Sequence, residues 1–349
     1  MHRFFAPRAA GLCSIVILAA MTGGSAQAGP INVDLVTVGD PGNAADSTGY
    51  GAVSYPYSIG KYDVTTSQYA AFLNAVAAAD PYGLYNSNMA SSFAAQGSGA
   101  VGISRSVSAG RFTYSVIGNG NVPIFAVIWG SAARFSNWLQ NGQPTGVEGP
   151  GTTETGTYTL LGQTSTAPLL LVTRNPGATW FIPTEDEWYK AAYYKGGGTN
   201  AGYWTYPTKS NNTPSNVLSA TGTNNANFDN NGYTDPTNIL TSVGAFAASP
   251  GPYGTFDQGG DVYGWNETGE TGASRNVRGG SWLSSSDGLL SSYRPGADPA
   301  GEYYYIGFRV ASVASVPEPS SVILLVAGIV ALTVARCRLG GASRRIMRR

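Results

Sequence analysis

PTEDEWYKAAYY, residues 183–194, is the stretch from which the fold is read. Thr184 followed three residues later by Glu187 has the form of a capping box, in which each side chain satisfies a backbone N–H left free in the first helical turn. Trp188, Ala191 and Ala192 then fall on one face at helical spacing, so the segment predicts a helix with its inner stripe on a core. Glu185, Asp186 and Glu187 crowd the first turn, where the helix dipole favours negative charge. We assign them to the helix start rather than to acid–base catalysis.

The same grammar recurs upstream. Thr65 with Gln68 forms a second capping box, followed by Tyr69, Phe72, Leu73 and Val76 at helical spacing. PIFAV (123–127) leads into a third helix over 131–139, with Ala132, Phe135, Trp138 and Leu139 facing inward. INVDLVTVG (31–39) alternates apolar and polar residues as a strand does. Residues 81–122 read as loops with short strands, and 141–157 as a polar loop. From 196 to 260 the chain is nearly all Gly, Asn, Thr, Tyr and Pro, a long stretch without helical period that something must organise. No fixed-period repeat is present.

Composition agrees with a loop-rich globular domain. Hydrophobic residues are 42% and there are 21 Tyr and 7 Trp, so disorder is excluded; charged residues are 11% and glycine reaches 47 of 349. Lys+Arg falls from 20 to 12 without Arg3, Arg8 and the six arginines after 335. Asp+Glu falls from 20 to 19 without Glu318, which leaves the middle near −7. That acidic balance argues against a nucleic-acid partner, which needs clustered Lys and Arg. His2, Cys13 and Cys337 are the only histidine and cysteines. The middle therefore contains no Ser-His-Asp triad, no Cys-His dyad, no His-ligated zinc and no disulfide.

The ends carry an address. Residues 1–28 have basic Arg3 and Arg8, an apolar run and a closing Ala26-Gln27-Ala28, which predicts a signal peptide cleaved before Gly29. A short buried helix is the competing reading. At the other end, a Pro-Glu-Pro linker (315–320) precedes a transmembrane helix predicted over 321–336 and a basic cytoplasmic tail over 337–349. This order resembles the PEP-CTERM sorting signal. The resemblance implies transient membrane anchoring through 321–336, recognition by exosortase-type machinery, and delivery to the envelope, outer surface or matrix of a Gram-negative-type bacterium. A plain C-terminal anchor is the alternative.

Six segments in order resemble the formylglycine-generating enzyme or sulfatase-modifying-factor family: VTTSQYAAFLNAV (64–76), PIFAVIWGSAARFSNWL (123–139), PTEDEWYKAAYY (183–194), YGTFDQGGDVYGWNE (253–267), RNVRGGSW (275–282) and GFRVA (307–311). The resemblance implies an α+β, C-type-lectin-like fold with little regular secondary structure, filling one domain over 29–314. It places the family's catalytic cysteines at Ser284 and at Leu289 or Leu290. Neither is a thiol, serine is a poor ligand for soft Cu(I), and leucine binds no metal, so copper is not expected. Arg278, Arg294 and Arg309, scarce charges among apolar neighbours, are read as buried donors.

Calcium is the cofactor the resemblance leaves open. Its first site would use Asn227 and Asp235 with the carbonyls of Phe228 and Thr237. A second would use Asp257 with the carbonyls of Gly260 and Val262, but the family's glutamate there is Gly264. Asx turns are the competing role for these residues. Tyr203, Trp204 and Tyr206 are candidates for a surface that contacts a glycan or peptide, against the alternative that they are core. The leading reading is an exported, non-catalytic binding or structural module. The alternative is an enzyme, of the formylglycine-generating type or with an unrecognised carboxylate centre. Carboxylates converging in a pocket would favour the enzyme, and an uncharged aromatic groove would favour binding.

Overall fold

Both capping boxes form. Thr65 Oγ1 accepts from Gln68 N at 3.2 Å, and Gln68 Oε1 accepts from Thr65 N at 2.8 Å, opening α1 (Thr66–Val76). Thr184 and Glu187 do the same at 3.2 and 2.7 Å at the head of α4 (Glu185–Tyr193). α2 (Trp129–Gln140) starts two residues before the predicted position. Its N-cap Ile128 has no side-chain bond, and every residue from Trp129 to Leu139 is buried, so packing rather than capping fixes this helix. A short α3 (Thr166–Leu171) was not anticipated.

This computed structural model describes residues 30–90, 101–235, 239–269 and 272–313. The predicted leader, Pro-Glu-Pro linker, transmembrane run and basic tail lie outside the described residues. Among the described residues no helix is long and apolar enough to cross a membrane.

One sheet runs β1 (Leu35–Val38), β2 (Tyr57–Gly60), β10 (Ala311–Val313), β5 (Trp180–Phe181), all antiparallel. It ties residues near both ends of the domain together. A second runs β8 (Gly296–Ala297), β7 (Arg275–Arg278), β6 (Tyr263–Gly269), β9 (Ile306–Gly307), with β6 and β9 parallel. Between α1 and α2, β3 (Gly102–Ser108) and β4 (Arg111–Ile117) form a hairpin. Its two-residue turn, Ala109-Gly110, has both φ angles positive, as the twist-matched hairpin turn requires.

The core is aromatic. Phe72 of α1 meets Phe135 and Trp138 of α2 at ring-centroid distances of 5.3 and 5.2 Å, and Phe308 closes on Phe135 at 5.3 Å. Arg278 and Arg309 are buried donors as predicted, while Arg294 donates from a half-buried position. Arg309 Nη1 donates to the Gly60 carbonyl at 2.6 Å, while Nη2 reaches the Phe256 carbonyl at 2.7 Å and Asp63 at 3.0 Å. Arg278 and Arg294 converge on Glu185 of α4. The long 196–260 stretch is held by isolated bridges, such as Tyr194 with Tyr203 and Asn227 with Gly260, and by asparagine amides that donate to backbone carbonyls.

Candidate functional site

β7 is followed by Gly279-Gly280, both at positive φ (99° and 77°). A Cβ on Gly280 would stand 2.7 Å from Leu289 Cδ1, so only glycine lets this turn pass close to the following loop. The turn delivers Trp282 into the core at 1% exposure. It also sets Ser284 at the edge of a pocket of about 340 Å³. Ser284 Oγ donates to the Tyr263 phenol at 2.9 Å and accepts from Ser281 N at 3.0 Å. Tyr263, Tyr293, Tyr303 and Tyr305 line the pocket with apolar Val277 and Leu283. Burial, chiefly, pushes the Tyr263 phenol up to about 12, so at neutral pH it keeps its proton and does not act as a base.

The second expected cysteine position is elsewhere in kind. Leu289 closes a 3₁₀ turn (Ser286–Leu289), is fully buried, and packs with Tyr206, Ala226 and Phe228, with Leu290 partly buried against them. Tyr206 thus belongs to the core: at 5% exposure it offers no surface to a ligand, because this small satellite cluster needs its ring. Tyr203 and Trp204 line a different cleft, of about 420 Å³.

The proposed calcium residues divide. Asn227 Nδ2 donates to the Ile239 carbonyl at 2.8 Å and to Asp261 Oδ1 at 2.7 Å. Among the described residues no donor reaches its buried Oδ1. Ile239 N also donates to the Asp235 carbonyl at 2.8 Å. The Phe228 carbonyl accepts from Asn216 at 3.1 Å. Thr237 lies outside the described residues. An orphaned amide oxygen fits a hard cation that prefers oxygen ligands. Around the second set, Asp257 Oδ2 accepts from Gly244 N at 2.7 Å and Oδ1 is buried without a donor among the described residues. Burial, then neighbouring Asp261 and Asp63, push this carboxyl well above the usual range. Gly260 sits where a Cβ would strike the Asn227 carbonyl, and Val262 precedes β6 in the core. At Gly264, a Cβ would stand 3.0 Å from Trp188 Nε1, so the indole fills the space beside the missing glutamate.

Several other buried carboxylates are paired with arginines. Glu154 takes Arg134 at 2.6 and 3.0 Å, and Glu187 takes Arg174 at 3.0 Å. Sequence reading missed the tyrosine wall of the Ser284 pocket, although Tyr303-Tyr304-Tyr305 signals it. It also missed Asp46, Ser47, Asn200 and Ser291 around Trp204, because those residues come from three separate loops.

A loop-rich α and β domain whose glycine turn leads from an inner strand to a buried tryptophan and then to the pocket edge has the framework of the sulfatase-modifying-factor class. The chain belongs to the FGE-sulfatase family, matching its Sulfatase-modifying factor enzyme 1-like domain over residues 22–314. Solved structures that it resembles include Treponema denticola variable protein 1 (19% identity, 82% of this chain and 96% of that chain, TM-score 0.46). CarF is similar at 19% identity, over 81% of this chain and 99% of its own, with a TM-score of 0.45. PvdO from Pseudomonas aeruginosa is similar at 17% identity, over 80% and 92%, with a TM-score of 0.39. No curated protein matches the sequence.

Proposed function

We propose that this chain is an exported, non-catalytic binding module that takes an apolar or aromatic peptide side chain in the pocket at Ser284. The observation that carries the reading is the pocket itself. Its walls are four tyrosines with Val277, Leu283, Pro295, Ala297 and Ile306, and no carboxylate is among its described lining residues. Tyrosines contribute large contact area and a hydroxyl for orientation, the usual equipment of a recognition surface. Glu154, Glu185 and Glu187, buried carboxylates, serve arginines elsewhere. Oxidation of the family type needs a thiolate, and Ser284 beside a core Leu289 supplies none.

Export rests on the leader at 1–28 and on the segments over 315–349, with exosortase-type machinery as the processing partner and the cell envelope or matrix as the destination. One preparation tests both halves. Protein recovered from envelope material should begin at Gly29 and lack residues 336–349 by N-terminal sequencing and intact mass. Incubated with copper, oxygen and a cysteine-containing sulfatase peptide, it should leave the peptide mass unchanged. An Ala297→Trp variant, which fills the pocket, should lose binding to a peptide library that the wild type retains. Copper-dependent loss of sulfur from the peptide would overturn the non-catalytic reading. Peptide binding indifferent to Ala297→Trp would overturn the pocket.

Calcium is part of the proposal, with Asn227 and Asp235 holding the ion beside the Phe228 and Thr237 carbonyls, and waters completing about 6–8 oxygen ligands. An ion bound only to the native state stabilises it by about 2.7 kcal/mol at a hundredfold excess over Kd. Chelation should therefore lower the melting temperature. Asp235→Ala should remove most of that response and Asp257→Ala less, because Gly264 supplies no carboxylate. Identical melts with and without chelator would reject both sites.

A further inference from the structure

A second cleft is separate from the Ser284 pocket. We infer that it is a binding site for a neutral saccharide, built from Asp46, Asn200, Trp204 and Ser291. The cleft holds about 420 Å³, within the range of small-ligand sites. Its walls come from the loop carrying Asp46 and Ser47, from the loop after α4 through Thr205, and from Ser291.

The chemistry of the lining selects the ligand. Asp46, Ser47, Asn200, Thr205 and Ser291 present a carboxylate, an amide and three hydroxyls around one indole. Such a set matches a ring with hydroxyls at its edge and C–H groups on its face. An apolar peptide side chain finds its complement in the other pocket instead. An anionic ligand would face the Asp46 carboxylate at close range.

The frame is rigid where a lectin-like cleft needs it. Asp46 Oδ1 accepts from Thr48 N at 2.6 Å, and Oδ2 accepts from the Tyr189 hydroxyl, so the carboxylate is aimed before a ligand arrives. Tyr203 Oη donates to the Ala44 carbonyl at 2.7 Å and accepts from Asn43 Nδ2 at 2.7 Å, tying the two cleft walls together. Trp204 N donates to the Tyr193 carbonyl at 2.7 Å, anchoring its backbone to the end of α4. Lys195 Nζ lies 4.7 Å from the Trp204 ring centroid and holds it from one side. Asn200 is exposed and lines the cleft.

The test uses the full-length protein on an array of neutral hexose- and N-acetylhexosamine-terminated oligosaccharides beside sialylated ones. Binding to a neutral member with quenching of tryptophan fluorescence is the expected result. Trp204→Ala should weaken it about tenfold, by analogy with base stacking on aromatics, and Trp204→Phe should restore most of it. Asn200→Ala should weaken it with an unchanged melting temperature. Ala297→Trp should leave saccharide binding intact, which separates this cleft from the peptide pocket. Absence of binding to every neutral glycan at millimolar concentration would overturn the inference. So would binding confined to sialylated glycans, binding that survives Trp204→Ala and Asn200→Ala together, or binding lost in Ala297→Trp.

Discussion

Glu185→Ala lowers the melting temperature of this protein by on the order of 10 °C. Glu185 is 1% exposed and stands at the first residue of α4. Its Oε1 accepts from Arg278 Nε and Nη2 at 3.0 and 2.5 Å, and from Arg294 Nε at 2.7 Å; its Oε2 accepts from Asn276 Nδ2 at 2.6 Å. One carboxylate thus joins α4 to β7 and to the loop before β8. Its removal leaves the Arg278 guanidinium, also 1% exposed, without its counter-charge. Breaking a buried pair from one side costs about 3–5 kcal/mol, because the surviving charge stays desolvated. At about 2–4 °C per kcal/mol for a domain approaching this size, the loss is easily read in a thermal melt. Glu185→Gln keeps the volume and one acceptor and should fall between. A shift below about 2 °C for the alanine variant would mean that water reaches Arg278, and that α4 is not fastened to the second sheet through Glu185.

That pairing explains a limit of the sequence reading. The helix of α4 is legible because its cap and stripe are local, and the acidic first turn is legible as an N-terminal signature. Yet Glu185 and Glu187 do more than answer the dipole: each is a buried partner for arginines distant in sequence, Arg278 and Arg294 for the first, Arg174 for the second. Long-range partners leave no mark on local pattern. The start of α2 was misplaced for a related reason, since Ile128 offers no cap and only burial selects the boundary. α3 escaped because it is 6 residues long with a proline inside it, too short to show a period.

The candidate sites show the same division. Ser284 was placed by the Gly279-Gly280-Ser281-Trp282 turn, where glycine is required by positive φ and close approach, so sequence carries the geometry. The walls of its pocket come from β6, β8 and the tyrosine run before β9, which only the sheet order brings together. Tyr206, Trp204 and Tyr203 read alike in sequence, as aromatics in one polar stretch. The structure separates them because Tyr206 fills a satellite core under the 3₁₀ turn while the other two face the cleft.

Stability should fall as pH rises from about 5 to about 8, and Glu148→Gln should flatten that slope. Glu148 is 7% exposed, and among the described residues no donor reaches either of its carboxyl oxygens. Burial first, and Asp80 second, push its carboxyl from 4.5 up to about 8, while the Tyr82 backbone N–H and Arg134 pull the other way. The Asp80 side chain is almost wholly buried, with its oxygens accepting from Leu84 N at 2.6 Å, Tyr85 N at 3.3 Å and Arg105 Nη1 at 3.4 Å. The native state therefore binds a proton that the unfolded chain gives up near 4.5. A carboxyl whose folded value is raised stabilises fully below the unfolded value, and loses that contribution as pH rises through the folded one. Each tenfold difference in proton affinity is worth about 1.4 kcal/mol, so a melting-temperature loss on the order of 10 °C between pH 5 and 8.5 is expected. Asp63, raised to about 7 chiefly by burial, adds to the same fall, so the informative quantity is the difference between wild type and variant. Glutamine keeps the shape without the charge, and the two melting curves should converge at pH 5 and separate above pH 7, with the variant the more stable. Curves that stay parallel across the range would show that the 141–157 loop lets water reach Glu148, and that the carboxyl ionises without opposing the fold.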